Sequence, residues 1–275
     1  MDNVSKTSYI PLYGKAYVSN NNILLKDPKA EEIWAAEGFA LKGKSKSKWL
    51  AYYMAMRARV FDQWVRKQQE ADPEAVVLHL GCGMDSRVLR VEAAVTRNAA
   101  TEKEVMGQWY DVDFPDVIAE RKRYYQDNAC YHMVASDVRD PQWMQQIPSD
   151  SRAIVVMEGI SMYLTPEELK KLLVDVCGHF SQAKILMDCY TTFSAKASRI
   201  KNPINDVGVT QVYGLDDPEI LQDGTGLHYV REHEMTPEDM VQELKGMERM
   251  IFSKVYGGEM ARKMYRMYEY ETDKH

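Results

Sequence analysis

Two glycines one residue apart, Gly81 and Gly83, end an apolar run in Val76–Arg90, "VVLHLGCGMDSRVLR". Three acidic residues, Asp113, Asp137 and Glu158, stand at the ends of three later apolar runs. Positions without side chains at the start of a helix let a ligand's carboxylate or phosphate approach backbone N–H groups, whose partial positive charge favours an anion. Asp113 closes "WYDVD", and a strand-end carboxylate there can accept hydrogen bonds from both hydroxyls of a ribose. Asp111, inside the same run, is expected to face away from that ligand. In "ASDVRDP", Asp137 can accept the exocyclic amine of an adenine while Val138 offers its backbone N–H to the ring; alone, Asp137 reads only as a helix N-cap. Glu158 directly follows "AIVVM" and needs a cationic or donor partner if half-buried, so it is a candidate to face a ligand ammonium. Tyr163, just beyond it, is assigned to positioning a substrate. Ribose at one strand end and adenine at the next describe an adenosine laid across a sheet.

The elements that must hold these residues are legible as short apolar runs alternating with helical patterns. "AVVLHL", "QWYDVDF", "YHMVAS", "AIVVME" and "KILMDCY" read as strands. Helices are expected over 86–97, 115–127 and 141–146, and from Thr165-Pro166-Glu167-Glu168, with Thr165 as the cap. Strands separated by helices imply a parallel, doubly wound α/β sheet with ligands at the carboxyl ends of its strands. Before it, Asp27 and Pro28 open one helix as N-cap and first residue, and Trp49, Tyr53, Met56, Val60 and Trp64 lay a stripe along another over 48–69. After it, "LHYVREHEM" and "MYEYET" read as closing strands, and Thr236-x-x-Asp239 as a box opening a helix. Segment 193–226 shows no clear element and is expected to form a loop over the site. The division expected is 1–70, an N-terminal cap and helix; 71–192, the binding core; and 193–275, a substrate loop and closing strands.

Composition excludes other classes. With 275 residues, 45% apolar and 28% charged, the chain can bury a full core as one domain. Its formal charge of −6 lacks the basic footprint of a nucleic-acid binder. No apolar run approaches a membrane span and the N-terminus lacks a signal peptide's apolar core, which reads as a cytoplasmic protein without nucleic-acid or membrane partners. The four cysteines form no C-x-x-C pair, so no metal is expected, and Cys82 reads as a small side chain filling the glycine turn rather than a nucleophile.

"LHLGCGMDSRVLR", "WYDVDFPDVIAERKRYY", "ASDVRDP" and "MEGISMYLTPEEL", in that order, resemble the successive motifs of the leucine carboxyl methyltransferase and polyketide O-methyltransferase family. The likeness covers about residues 9–192, taking in "IPLYGKAYVS" and "KSKWLAYYMAMRARVFDQWV". It implies a Rossmann-like, seven-stranded, mostly parallel sheet with an N-terminal helical cap, and S-adenosylmethionine as cofactor. By position it implies that Gly81 and Gly83 line the methionine part, Asp113 holds the ribose, and Asp137 and Val138 contact the adenine. Glu158 would lie near the amino acid or ribose end, Arg59 would pair with the cofactor carboxylate, and Lys15 matches a cap lysine. Arg87 either assists Arg59 or braces its helix. A zwitterionic tail wants a guanidinium for its carboxylate on physical grounds too; Arg57 takes the role if the helix is rotated.

The activity expected is O-methylation of a carboxylate or hydroxyl on a small molecule by a monomer or homodimer. Two alternatives stay open. One is a nucleotide-dependent oxidoreductase, which the absence of a third glycine, with Ser86 in its place, disfavours; the other is a binder of the same cofactor without turnover. Candidate bases are Tyr163, Tyr190, His228 and His233, and Asp188 is a candidate to orient a neighbour. The stripe "EMARKMYRMYEYE" is read as core or subunit interface, and Lys42, Lys44, Lys46 and Lys48 as a solvated run.

Overall fold

The structure, a computed structural model, describes residues 5–37, 43–95, 107–149, 151–198 and 211–272. Seven strands form one sheet in the order β3-β2-β1-β4-β5-β7-β6: β1 (Val76–Leu80), β2 (Trp109–Asp113), β3 (Tyr131–Ala135), β4 (Arg152–Met157), β5 (Gln182–Tyr190), β6 (Leu227–Glu232) and β7 (Tyr265–Thr272). The pairings among β1–β5 are parallel, and β7 runs antiparallel to both β5 and β6. Every residue of β1 is buried, as expected of a strand covered by helices on both faces.

Three helices make the cap: α1 (Tyr9–Asn20), α2 (Pro28–Glu37) and α3 (Lys48–Ala71). Asp27 accepts the Ala30 N–H at 2.9 Å and so caps α2. The stripe expected along α3 is buried at Tyr53, Met56, Val60 and Trp64 and joins one face of the sheet in a core with Val77, Ile154 and Leu186. Between strands lie α4 (Arg87–Val95), α5 (Pro115–Arg121) and α6 (Pro166–His179). The Thr165–Glu168 box forms reciprocally, with the Glu168 N–H on Thr165 Oγ1 at 3.1 Å and the Thr165 N–H on Glu168 Oε2 at 2.8 Å.

The tail departs from expectation in three places. Helix α7 (Thr192–Ser198) starts the stretch read as loop, whose residues 199–210 lie outside those described. The Thr236-x-x-Asp239 box is not built: α8 (Glu238–Gln242) opens at Pro237, with no side chain capping it. Two further helices, α9 (Gly246–Tyr256) and α10 (Gly258–Met264), then lead into β7. Helix α5 is also shorter than expected, ending at Arg121, whose buried side chain pairs with Asp111.

Candidate active site

Strand register brings the chemistry-bearing residues to one edge of the sheet. Leu80 pairs with Val112, Asp113 with Ala135, and Met157 with Met187, so Gly81, Asp113, Ser136 and Glu158 lie at the tips of β1–β4, with Asp188 of β5 beside Glu158. The Gly81 N–H donates to Val112 O at 2.8 Å and the Ser136 N–H to Asp113 O at 2.9 Å, tying the tips together. Over them opens a cavity of about 590 Å³, roofed by α1, α3 and α10. That is within the ordinary range for a small-molecule site.

The glycine turn has the steric reason the sequence suggests. Gly81 and Gly83 both have positive φ, +68° and +52°. A Cβ on Gly81 would lie 1.9 Å from Ile160 Cγ2, and one on Gly83 would lie 2.9 Å from Ser8 Cβ. Both glycines line the cavity. Cys82 between them is buried, and burial pushes its thiol well above the ordinary value, which leaves a protonated, packing side chain. Ser86, where a dinucleotide fingerprint would have its third glycine, donates to both oxygens of Asp27 at 2.6 Å and so anchors the cap.

Asp113 stands at the tip of β2, nearly buried, taking the Gly83 N–H on Oδ2 at 2.7 Å and the Phe114 N–H on Oδ1 at 2.8 Å. Burial outweighs those bonds and pushes its carboxyl up to about 6, because among the described residues no cation is bonded to it. Asp111 is excluded by depth rather than by direction. Two positions earlier, it shares Asp113's face of the strand, but its carboxylate is fully buried and held by Arg121, the Tyr131 hydroxyl at 2.6 Å and Trp109 Nε1 at 2.9 Å.

The cationic side of the cavity corrects the arginine expected there. Arg59 lies outside it, its Nη1 donating to Leu24 O at 3.0 Å and to Glu243 at 2.5 Å on the surface. Arg57, on the buried face of α3, lines the cavity and pairs with Glu158 and Asp188, each at 2.9 Å. A one-residue step along a helix rotates a side chain by about 100°, so two residues are enough to separate site from surface. Arg57 Nε has no partner among the described residues. Asp188, whose carboxyl burial raises, also accepts the Gly159 N–H at 2.6 Å and so orients Arg57.

Arg87 is fully buried behind the site rather than lining it, bonded to Asp62 at 2.8 Å and closely to Glu158. Of its two expected roles, it braces. Glu158 lines the cavity; burial opposes its ionisation, but Arg57, Arg87 and Lys15 together bring its carboxyl down to about 2. Lys15, from α1, also lines the cavity, with its ammonium 2.9 Å from Asp85. Burial likewise opposes ionisation of Asp85, yet Arg90, Lys15 and Arg87 hold it well below the usual carboxylate range. Arg90 then reaches Asp27 at 2.8 Å and Asp62 at 2.7 Å, so one buried ionic chain runs from the cap to the strand tips.

At the far end, Asp137 and Val138 line the cavity with Arg139. Burial works against the Asp137 carboxylate, but the Arg139 side chain and backbone N–H lower its pKa, and Trp143 Nε1 donates to Val138 O at 3.2 Å. Tyr163 also lines the cavity, with burial raising its hydroxyl. Of the other candidate bases, Tyr190 lines it, whereas His228 is exposed on β6 and His233 pairs with Glu269 at 2.7 Å away from it. The tail stripe read as core or interface supplies Met260, Ala261, Met264 and Tyr265 to the cavity; its spacing gave no sign that one face meets a ligand. Of the lysine run, Lys48 pairs with Glu248 of α9 at 2.6 Å, and Lys42 lies outside the described residues.

Among the described residues no group of three or more His, Cys, Asp or Glu side chains is placed to hold a metal ion. Nor is any helix there long and apolar enough to cross a membrane.

A seven-stranded sheet of this order, with its last strand antiparallel and its cavity at the tips of β1–β4, defines a class I S-adenosylmethionine-dependent methyltransferase. Its fold matches magnesium protoporphyrin IX methyltransferase from Synechocystis PCC 6803, solved with bound S-adenosylhomocysteine, with a TM-score of 0.51 at 11% identity over 90% of this chain and 94% of that one. Residues 12–177 match the leucine carboxyl methyltransferase family model, and the chain belongs to that family. Tetracenomycin polyketide synthesis O-methyltransferase TcmP of Streptomyces glaucescens is 28% identical over 199 residues, 72% of this chain and 70% of the relative. The S-adenosyl-L-methionine-dependent methyltransferase dpfgK of Gibberella zeae is 29% identical over 192 residues, 65% of this chain and 61% of the relative. The protein is an S-adenosylmethionine-dependent O-methyltransferase.

The residues present fit that cofactor. A nearly buried carboxylate with no cation bonded to it among the described residues is open to a diol, the glycine turn leaves room that a Cβ would fill, and the Arg57 guanidinium has an Nε without a partner among those residues.

Proposed function

We propose that the cavity binds S-adenosylmethionine across the strand tips and presents it to a small, largely apolar acceptor, whose oxygen receives the methyl group. The observation that carries this reading is Asp113, a nearly buried carboxylate with its two anchoring N–H bonds and no bonded cation among the described residues. Such a group is costly alone and becomes satisfied when two hydroxyls donate to it.

Bound there, the cofactor supplies an electrophilic methyl group on a cationic sulfur. Asp113 holds the ribose hydroxyls. Asp137 and the Val138 backbone meet the adenine. Gly81 and Gly83 let the methionine part lie against bare backbone, and Arg57 takes its carboxylate, kept in place by Glu158 and Asp188. Glu158, with its own charge fixed by Arg57 and Arg87, faces the amino end of the same part, and Lys15 closes the site from the cap. Tyr163 positions the acceptor. Methyl transfer needs its partners held close and in line, and the buried ionic chain supplies that rigidity.

The acceptor half is walled by Ile10, Leu50, Met162, Tyr190, Met264 and Tyr265. That surface suits an apolar, aromatic body of polyketide type, a reading supported by the likeness to TcmP. Within these walls an acceptor excludes water, and a carboxylate acceptor needs no proton removed before transfer.

Methyl-labelled S-adenosylmethionine incubated with aromatic carboxylic acids and phenols tests the proposal. Label is expected on oxygen, with mild alkali separating esters, which lose it, from ethers, which keep it. Label on carbon or nitrogen would overturn it, as would thermal stabilisation by NADH but not by S-adenosylhomocysteine. Cofactor binding with no transfer across the set would favour a non-catalytic binder.

A further inference from the structure

Resting on that reading, the wall of the acceptor half contains two hydroxyls that the fold itself leaves unused. Tyr53 Oη and Ser194 Oγ are both sealed from solvent and have no hydrogen-bond partner among the described residues. Both residues line the cavity and both are buried. An unmade hydrogen bond at a buried hydroxyl is costly, and native structures carry few such groups without a reason.

Their placement supplies the reason. Tyr53 lies four residues before Arg57, on the same face of α3, so the residue proposed to hold the cofactor carboxylate and the orphaned phenol are one helical turn apart. The Tyr53 ring packs at 5.7 Å on Tyr265, which meets Tyr190 edge-on at 4.6 Å. Ser194 follows Tyr190 on the first turn of α7, where its backbone N–H is already taken by Thr191 Oγ1 at 3.0 Å, leaving only the side-chain hydroxyl to serve a ligand. Burial raises the Tyr53 phenol far above its ordinary value. It therefore remains a proton donor at any physiological pH and does not act as a base.

We propose that Tyr53 Oη, with Ser194 Oγ as a second point on the same wall, donates a hydrogen bond to an oxygen of the methyl acceptor and so fixes which oxygen faces the methyl group. The acceptor then carries a hydrogen-bond-accepting oxygen on an apolar body. Tyr53 selects it by offering a hydrogen bond that an oxygen-free analogue cannot accept, so only the oxygen-bearing ligand satisfies the buried hydroxyl.

The test uses the full chain saturated with S-adenosylhomocysteine and two probes of similar shape, 2-naphthoate and 2-methylnaphthalene, with binding followed by calorimetry. The expected result is 2-naphthoate binding to the wild type at least tenfold more tightly than to Tyr53→Phe and at least threefold more tightly than to Ser194→Ala, with 2-methylnaphthalene unchanged by either. Tyr53→Phe without ligand should melt no lower than the wild type, since the hydroxyl removed has no partner among the described residues; a marked drop in melting temperature would overturn the inference by showing a structural bond. Equal 2-naphthoate binding by wild type and Tyr53→Phe, or none by the wild type, would overturn it while leaving the cofactor site standing. Failure of S-adenosylhomocysteine to bind the wild type would remove the functional reading and this inference with it.

Discussion

The two halves of the cavity are built on different principles. At the strand tips, most of the charged wall residues are fixed by ion pairs: Lys15 on Asp85, and Arg57 on Glu158 and Asp188, with Arg87 behind Glu158. Toward α7 and α10 the walls are largely methionine and tyrosine, with Tyr265 packed edge-on against Tyr190. A rigid ionic frame suits a cofactor that never changes, and an apolar wall of adaptable side chains suits an acceptor that differs from one relative to the next. Within the charged half, Asp113 is the exception, an ionisable group without a cation bonded to it, and that is what marks it as a ligand-binding position.

The sharpest break of that contrast is Arg57→Ala. It strips Glu158 and Asp188 of a buried partner at once, and losing one member of such a pair typically costs about 3–5 kcal/mol. Chemical denaturation should show a loss of that order and calorimetry a collapse of S-adenosylhomocysteine affinity, whereas Arg59→Ala should leave the dissociation constant where it was. A normal constant in Arg57→Ala would return the carboxylate to another cation.

Next in size is Gly81→Ala, which places a methyl group against Ile160 at a positive φ. A non-glycine residue there costs roughly 1–2 kcal/mol in backbone alone, so a lower melting temperature and at least tenfold weaker cofactor binding are expected. An unchanged affinity would mean that the cofactor does not lie against this turn.

Asp113→Asn probes the exception. Cofactor binding should weaken by about 1–3 kcal/mol. Folding itself should respond in the opposite sense: with its carboxyl near 6 in the native chain against about 3.9 unfolded, Asp113 favours the fold most fully below pH 4. That contribution, of order 2–3 kcal/mol, is lost as pH rises through 6. Denaturation of the ligand-free wild type at pH 4.5 and 7.5, compared with Asp113→Asn, reads this difference directly; equal pH dependence in the two proteins would contradict it.

Met264→Ala, on the packed wall, should have the smallest effect on the cofactor. It should shift S-adenosylhomocysteine affinity by less than twofold while weakening any apolar acceptor several-fold, and an equal loss of both would blur the division into halves.

How much of this was legible follows the same division. Strand ends rich in Gly, Asp and Glu signal themselves, because apolar runs stop where polar residues begin; Gly81, Asp113, Asp137 and Glu158, picked out that way, all line the cavity. Helical rotation is harder to read. Arg57 and Arg59 differ by two residues, and only the packing of α3 against the sheet decides which faces inward. Met260 and Met264 were unreadable for another reason: an apolar helix face has the same spacing whether it meets a core or a ligand. Tyr53 was legible as part of a buried stripe, but nothing in that stripe shows that its hydroxyl lacks a partner. The expectation that Asp111 faces away runs against strand parity, which puts it on the face of Asp113; depth in the strand, not side, separates the structural carboxylate from the ligand-binding one.

The central claim is that an ionised Asp113 reads the ribose of the cofactor. Calorimetric titration of S-adenosylhomocysteine between pH 5 and 8 tests it. Wild-type affinity is expected to fall as pH drops through about 6, where the carboxylate gains a proton, and Asp113→Asn is expected to bind weakly with a flat profile. Tight, pH-independent binding that survives the substitution would contradict it.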